Sequence, residues 1–358
     1  MIWGLLFRLL PSPTPTGLRR VGNPDRSSPV LVTCNFDLTV KRVTRVLDRA
    51  GLDAWLLVAQ SQGVNVCCAA GADEFDTNSV VTAVKTSGID DLVDHRKLVL
   101  PPLGAPAIRA VEVRERTGWV PHWGPVYAED LPRYLADRYR RDEAMKRVTY
   151  AWRERLDTGL GSMFAFYLFG ALGFLIFGRS LLFEYLWVGA AAFLFFFLAC
   201  PWLPGKTGVA KVLVVDAVLA VVLVATELMA PGASPWRAEL VLGMVLLMMF
   251  GGELGGLSST LRSDFDPFLA RLGIGAIGNT AFAGTVRTEL LNGYRVLTLH
   301  RERCKGCGSC TEVCPQGVWE MGADKRSVLA HIDDCTACRA CITQCPEGAI
   351  EARTSREL

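Results

Sequence analysis

The chain has 358 residues, of which 51% are hydrophobic and 21% charged, a balance that leaves room for two or three domains and points to a part embedded in lipid. Its formal net charge of +2, with no helix-turn-helix, zinc-finger or RNA-binding signature, excludes nucleic acid as a partner. Eight of the twelve cysteines fall in two ferredoxin-type runs that need reduced sulfur, which argues against a secreted disulfide scaffold and for a cytosolic, oxygen-poor setting.

Met1 to Leu10 is apolar but lacks a basic n-region and a small-residue cleavage site, so it is not read as a signal peptide. Residues 11 to 27 are rich in Pro, Ser, Gly and Arg and read as a linker or ordered coil that completes an N-terminal segment, 1–27. From 28 to about 145, short apolar runs (Val30 to Thr33, Ala54 to Val58, Leu98 to Leu100) alternate with segments of helical period, Leu38 to Ala50 and Thr77 to Lys85. That alternation predicts an α/β domain. Ligands of such sheets bind at the carboxyl ends of the strands, where the Asn65 to Gly71 turn and the Pro101 to Pro106 loop are expected. Asn65 is a good helix N-cap, which puts Cys67 and Cys68 in the first turn of a short helix. That position favours the thiolate and hence metal ligation; the alternative is two small apolar core residues. His95 lacks the Asp-x-His-x-x-Gly pattern of a cobalt ligand and reads as structural, as do His122, His300 and His331. The nine tryptophans read as core or membrane-interface residues.

Past the basic segment Arg138 to Arg155, four stretches are apolar enough for the roughly 20 residues that cross a bilayer: about 160 to 178, 181 to 203, 209 to 230 and 237 to 256. A fifth, Gly- and Ala-rich, lies around Phe268 to Val286, so the region 158–286 is expected to be transmembrane. Basic residues before the first span (Arg138, Arg140, Arg141, Lys146, Arg147, Arg153, Arg155), between the second and third (Lys206, Lys211) and after the fourth (Arg262, Arg271) outweigh Arg179 and Arg237. Both soluble ends are therefore expected on the cytoplasmic side of an inner membrane. Glu184, Asp216, Glu227 and Glu253, in or at the ends of the spans, are candidates for a transport or proton role or for helix ends.

The tail, 295–358, carries C-x-x-C-x-x-C-x-x-x-C-P twice, at Cys304, Cys307, Cys310, Cys314-Pro315 and at Cys335, Cys338, Cys341, Cys345-Pro346. Zinc prefers ligands in two close pairs, whereas three near cysteines and a distant fourth, repeated, suit two 4Fe-4S clusters. The fourth cysteine of each run serves the other cluster. Cys304, Cys307, Cys310 and Cys345 therefore form one ligand set, and Cys335, Cys338, Cys341 and Cys314 the second.

The runs S-P-V-L-V-T-C-N-F (28–36), G-L-D-A-W-L-L-V (51–58), G-V-N-V-C-C-A-A-G (63–71) and H-R-K-L-V-L-P-P-L-G-A-P (95–106) resemble the corrinoid protein of microbial mercury methylation. That family is distantly related to the corrinoid iron-sulfur protein of the acetyl-CoA pathway. Its motif is Asn, Val or Ile, Trp, Cys, Ala, Ala or Gly, Gly, Lys; Asn65, Val66, Cys68, Ala69, Ala70 and Gly71 match it, while Cys67 stands for the Trp and Ala72 for the Lys. The resemblance extends along essentially the whole chain, because the family has a membrane domain and a separate ferredoxin partner, here fused. It implies an α/β corrinoid-binding domain, an all-α transmembrane domain of four or five helices, and an α+β bacterial-type ferredoxin domain with two 4Fe-4S clusters. It implies Cys68 as cobalt ligand and catalytic residue, with Asn65, Val66, Cys67, Ala69, Ala70 and Gly71 around the corrinoid and Leu103, Gly104 and Ala105 as rigid backbone against the macrocycle. The implied activity is methyl transfer from cobalt to Hg(II). The implied partners are an upstream methyl-donor protein or methyl-folate-type donor, a low-potential electron donor, membrane lipid and Hg(II). The family's ferredoxin ends in a cysteine pair with no counterpart after Cys345; Cys67, Cys34 and Cys200 are the cysteines left for metal handling. Two alternatives are transfer to another metal, metalloid or one-carbon acceptor, and a membrane electron-transfer protein without corrinoid.

Overall fold

The computed structural model describes residues 11–149, 295–335 and 338–354, together with individual positions between 151 and 228. Strands β2 (Val30–Cys34) and β3 (Ala54–Ala59) are buried at every position, as expected of uninterrupted apolar runs covered on both faces. They pair in parallel, Leu31 opposite Leu56, and β4 (Lys97–Leu100) joins β2 on its other side. β5 (Val120–Trp123) pairs in parallel with β4. β1 (Gly17–Val21) runs antiparallel along β3, Leu18 opposite Leu57, so the sheet order is β1-β3-β2-β4-β5. Residues read as linker thus supply an edge strand. Its paired basic residues, Arg19 and Arg20, keep a sheet edge soluble and hide the strand from a hydropathy reading. Pro121 masks β5 in the same way, since proline in a sheet is confined to edges and bulges.

Alternate side chains of β3 feed two cores. Trp55, Leu57 and Ala59 join Val30, Val32 and Cys34 on one face; Ala54, Leu56 and Val58 join Leu31 and Val99 on the other. The first face is covered by α2 (Val66–Gly71), α3 (Thr77–Thr86), α4 (Ile89–Leu92) and α5 (Ala110–Thr117). The second is covered by α1 (Asp37–Arg49), α6 (Leu131–Ala136) and α7 (Glu143–Lys146).

The C-terminal region is built as two matching halves. β6 (Arg295–Leu299) pairs antiparallel with β9 (Ile350–Thr354), and β7 (Trp319–Met321) with β8 (Ser327–Leu329). Helices α8 (Ser309–Val313) and α9 (Ala340–Gln344) each follow a left-handed residue, Gly308 at φ 75° and Arg339 at φ 65°. This α+β region and the α/β domain form one compact unit.

The second unit is described only in part; there Arg155 Nη1 donates to Leu198 O at 2.9 Å and its guanidinium lies over the Trp202 ring. No helix among the described residues is long and apolar enough to cross a membrane. This overturns the expected all-α transmembrane domain and the multi-pass inner-membrane location, and leaves membrane lipid as a partner without support. Hydropathy records how apolar a stretch is, whereas crossing requires one unbroken helix of roughly 20 residues. The stretches at 160–178, 181–203, 209–230, 237–256 and 268–286 lie largely outside the described residues, as do Glu184, Asp216, Glu227, Glu253 and Cys200.

Candidate functional site

The carboxyl end of β2 carries Asn35, whose side chain organises the turn after β3. Asn35 is 3% exposed, and its Oδ1 accepts from Ser61 N (2.9 Å), Ser61 Oγ (2.9 Å) and Gly63 N (3.0 Å). The N-terminal segment closes over the turn, with Ser12 N donating to Gly63 O at 2.8 Å. Gly63 has φ 70°, and a Cβ there would stand 2.5 Å from Pro13 N. So fixed, the chain reaches Asn65, the N-cap of α2, whose Oδ1 accepts from Cys68 N at 3.0 Å and from Cys67 Sγ at 3.2 Å. The helix buries Val66, Ala69 and Ala70, while Cys67 is exposed and Cys68 half-buried, their sulfurs 3.7 Å apart. The pair therefore faces outward at the carboxyl edge and is not core filling. Cys34 is the core cysteine: it is wholly buried at the end of β2, and burial pushes its thiol up.

α2 rests on the single turn Pro102–Gly104 that follows β4. A Cβ at Gly104 would lie 2.8 Å from Ile108 Cδ1 and 3.2 Å from Phe75, so these two side chains would have to shift to admit any other residue. Leu103 is half-buried, whereas Gly104 and Ala105 are buried. Ala105 packs with Val313 and Ala340 of the C-terminal region, and Trp123 and Cys338 pack against them. Of the loop residues expected around a macrocycle, Leu103 thus stays beside α2 while Ala105 is turned to the iron-sulfur-type region. The histidines make structural contacts: His95 Nε2 with Ser28 O (3.0 Å), His122 stacked on Tyr139, His300 with Glu302 (3.2 Å) and Glu351 (3.1 Å), and His331 with Glu320 (3.2 Å).

In the C-terminal region Cys304, Cys307, Cys310 and Cys345 line one cavity. Burial pushes the Cys310 thiol up. Burial opposes charge on Cys304 as well, but hydrogen bonds from the Ser327 and Gly306 backbone and the Ser327 hydroxyl, with the Arg326 charge, together outweigh it and hold this thiol below its ordinary value. Cys341 is pushed up by burial first and then by the neighbouring Cys338, Cys314 and Cys335, which places these four within electrostatic reach of one another. Trp319 packs with Cys310, Cys314 and Cys341, and its buried Nε1 has no hydrogen-bond partner among the described residues. Cys314 Sγ accepts from Val318 N at 3.3 Å and Cys345 Sγ from Ala349 N at 3.2 Å, the same contact in each half. Buried sulfurs held by amides, with a spare indole donor beside them, fit a cluster whose sulfides are acceptors. Among the described residues no three His, Cys, Asp or Glu side chains converge as for a single ion; a four-iron cube keeps its cysteines farther apart.

A polar seam joins the two regions. Glu312 meets Arg141 Nη2 at 2.8 Å and Lys146 Nζ at 2.7 Å, and Val148 N donates to Pro315 O at 3.1 Å. Burial raises the Glu312 carboxyl, but hydrogen bonds and charge from Lys146 and Arg141 outweigh it and hold it below the usual range. Gln344 donates to Ala105 O at 2.8 Å and to Ile108 O. Sequence reasoning passed over Asn35, Glu312 and Gln344. For Asn35 the signal was available, a polar residue at the carboxyl end of a buried strand; for the other two none was.

Residues 10–135 match the family model described as CO dehydrogenase/acetyl-CoA synthase delta subunit, and residues 297–349 match that of a 4Fe-4S dicluster domain. The chain is similar to the acetyl-CoA decarbonylase/synthase complex subunit gamma of Methanopyrus kandleri, 38% identical over 125 residues, 35% of this chain and 27% of the relative. For Methanocaldococcus jannaschii the identity is 30% over 148 residues, 41% of this chain and 29% of the relative; for Archaeoglobus fulgidus it is 34% over 110 residues, 31% and 23%. The chain thus covers less than a third of the length of these relatives. It joins in one polypeptide an α/β domain similar to a subunit of the acetyl-CoA decarbonylase/synthase complex and a region that matches a 4Fe-4S dicluster domain.

Proposed function

We propose that the chain is a corrinoid-dependent methyltransferase with its ferredoxin reductant built in, residues 28–145 binding the corrinoid and 295–358 holding two 4Fe-4S clusters. When bound, a corrinoid supplies a cobalt that takes a methyl group from a donor and gives it to an acceptor, and clusters supply single low-potential electrons. The observation that carries the reading is the Asn65-capped turn, which presents Cys68 at the carboxyl edge of a sheet whose domain matches the acetyl-CoA synthase delta family. Cys68 would supply the thiolate that holds the corrinoid's cobalt, and it is itself held by the Asn65 cap and by Ala69 and Ala70 in the core beneath it. Val66 and Gly71 complete the helix, and Leu103 borders the same edge. The sets Cys304, Cys307, Cys310, Cys345 and Cys335, Cys338, Cys341, Cys314 are the proposed cluster ligands.

Two acceptors follow from different observations. The exposed Cys67 sulfur, 3.7 Å from that of Cys68, suits capture of a soft metal and supports Hg(II). Similarity to a subunit of an acetyl-CoA decarbonylase/synthase complex supports a one-carbon acceptor, a methyl-folate-type or protein methyl donor, and an external low-potential electron donor. The test is anaerobic: full chain loaded with methylcobalamin, corrinoid retention read from the visible spectrum, and methyl transfer to Hg(II) and to one-carbon acceptors read separately. Cys68→Ala should lower corrinoid affinity by at least about tenfold, while Cys67→Ala should leave binding and lower transfer to Hg(II) alone. Equal retention by wild type and Cys68→Ala would sink the ligand assignment. Retention through Cys68 without methylmercury would leave the one-carbon reading.

A further inference from the structure

Each helix of the C-terminal region meets the α/β domain with the same two positions of its repeat. Glu312 and Val313 precede Cys314 in the first half; Thr343 and Gln344 precede Cys345 in the second. Glu312 pairs with Arg141 and Lys146, and Val313 packs on Ala105. Thr343 Oγ1 donates to Pro106 O at 2.8 Å, and Gln344 commits its whole amide to the same loop. Its Nε2 donates to Ala105 O at 2.8 Å and to Ile108 O, while its Oε1 accepts from Ala110 N at 3.3 Å. Ala110 opens α5, whose N-cap residue Arg109 offers no side-chain cap. Gln344 therefore supplies, from 234 residues away, the acceptor that this helix start lacks. It is 7% exposed, and an amide bonded to three fixed backbone groups has little freedom.

The geometry points to Gln344 as a positioning residue that couples occupancy of the cysteine set Cys314, Cys335, Cys338 and Cys341 to the order of backbone 105–110, which adjoins the turn beneath the Cys68 helix. Adjacency carries the coupling. α9 begins just after Cys338 and contains both Cys341 and Gln344, and Cys338 itself packs at the Ala105 contact. Fixing these sulfurs on one cluster fixes the reach of the amide, and by reciprocity a docked amide favours loading. The inference rests on the reading of these four cysteines as cluster ligands and is independent of the corrinoid.

The test uses the full chain under anaerobic conditions, prepared with and without iron and sulfide. Hydrogen exchange at the Ala110 amide is measured beside iron content and the electron paramagnetic resonance of the reduced protein. Loading should slow Ala110 exchange by at least about tenfold. Gln344→Ala should abolish that difference with iron content and resonance signal unchanged. Gln344→Glu, which keeps the acceptor for Ala110 but sets a carboxylate against the Ala105 and Ile108 carbonyls, should abolish most of it. Full protection in Gln344→Ala, or identical Ala110 exchange in loaded and unloaded wild type, overturns the coupling and leaves the cluster reading standing. A wild-type chain that takes up no iron overturns both.

Discussion

Asn35 shows how a residue remote from the chemistry sets the geometry of a site. Its buried Oδ1 satisfies two amides and a hydroxyl of the Ser61–Gly63 turn, and that turn in turn aims Asn65 and the two cysteines. Removing the acceptor strands the Gly63 amide, a loss of about 1–3 kcal/mol, while Ser61 keeps weaker alternatives in Gln60 Oε1 and Val64 O. Asn35→Ala should therefore destabilise the α/β domain by about 2–3 kcal/mol, read as a lower urea midpoint with unchanged slope, and should speed exchange at the Ser61 and Gly63 amides. A change below about 0.5 kcal/mol would mean that the turn is held by the Asn65 cap and the Ser12 contact without Asn35. Asn65 acts more locally: its oxygen serves the Cys68 amide and the Cys67 thiol, so the cap orders both sulfurs at once.

Among the elements, the turn between β3 and α2 is over-determined, and glycine substitutions separate its causes. Gly51 and Gly63 both have left-handed φ, 62° and 70°, but a Cβ at Gly51 meets nothing within 4 Å while one at Gly63 meets Pro13. Gly51→Ala should cost about 1 kcal/mol, the backbone penalty alone. Gly63→Ala should cost at least about twice that and expose the Pro11 to Thr16 segment to protease, because Pro13 must give way. Equal costs would show that the N-terminal segment does not seal the turn. The same segment marks the limit of what the sequence discloses. β2, β3 and β4 were legible because strands covered on both faces read as unbroken apolar runs, and the Asn65 cap because its partner is three residues away. The match of the C-terminal region to a 4Fe-4S dicluster domain was foreshadowed by its two cysteine runs. β1 and β5 were not, since edge strands carry Arg19, Arg20 and Pro121. Asn35 and Gln344 act on groups 26 and 239 residues distant, which no local pattern encodes.

At the scale of the whole molecule, the fusion matters because the two regions share an interface made of buried charge and fixed backbone. Arg141 and Lys146 are 3% and 11% exposed, and both are answered by Glu312, itself about half exposed at 47%. Lys146 also has Glu143, so Arg141 is the cation that Glu312→Gln would leave without a countercharge. Stranding a nearly buried cation costs about 2–5 kcal/mol, and the exposure of Glu312 discounts this to about 1–2 kcal/mol. The Val148 amide, bonded to Pro315 O across the seam, reports the outcome: its exchange should quicken by about 5–30-fold in Glu312→Gln. Acid should act in the same direction. Because the folded carboxyl titrates below its ordinary value of 4.5, its contribution to docking is complete above that pH and fades as pH falls through the lower folded value. Lys146, raised above its ordinary 10.5 by Glu312 and Glu143 against the cost of burial, sets the opposite edge, and its share is lost only as pH climbs past that raised value. Val148 exchange, corrected for its intrinsic pH dependence, should thus be slowest between these limits in the wild type and show no acid edge from this carboxyl in Glu312→Gln. An acid edge retained undiminished in the variant would assign the acid sensitivity of the seam to another carboxylate, and the Glu312 ion triad would then serve orientation alone.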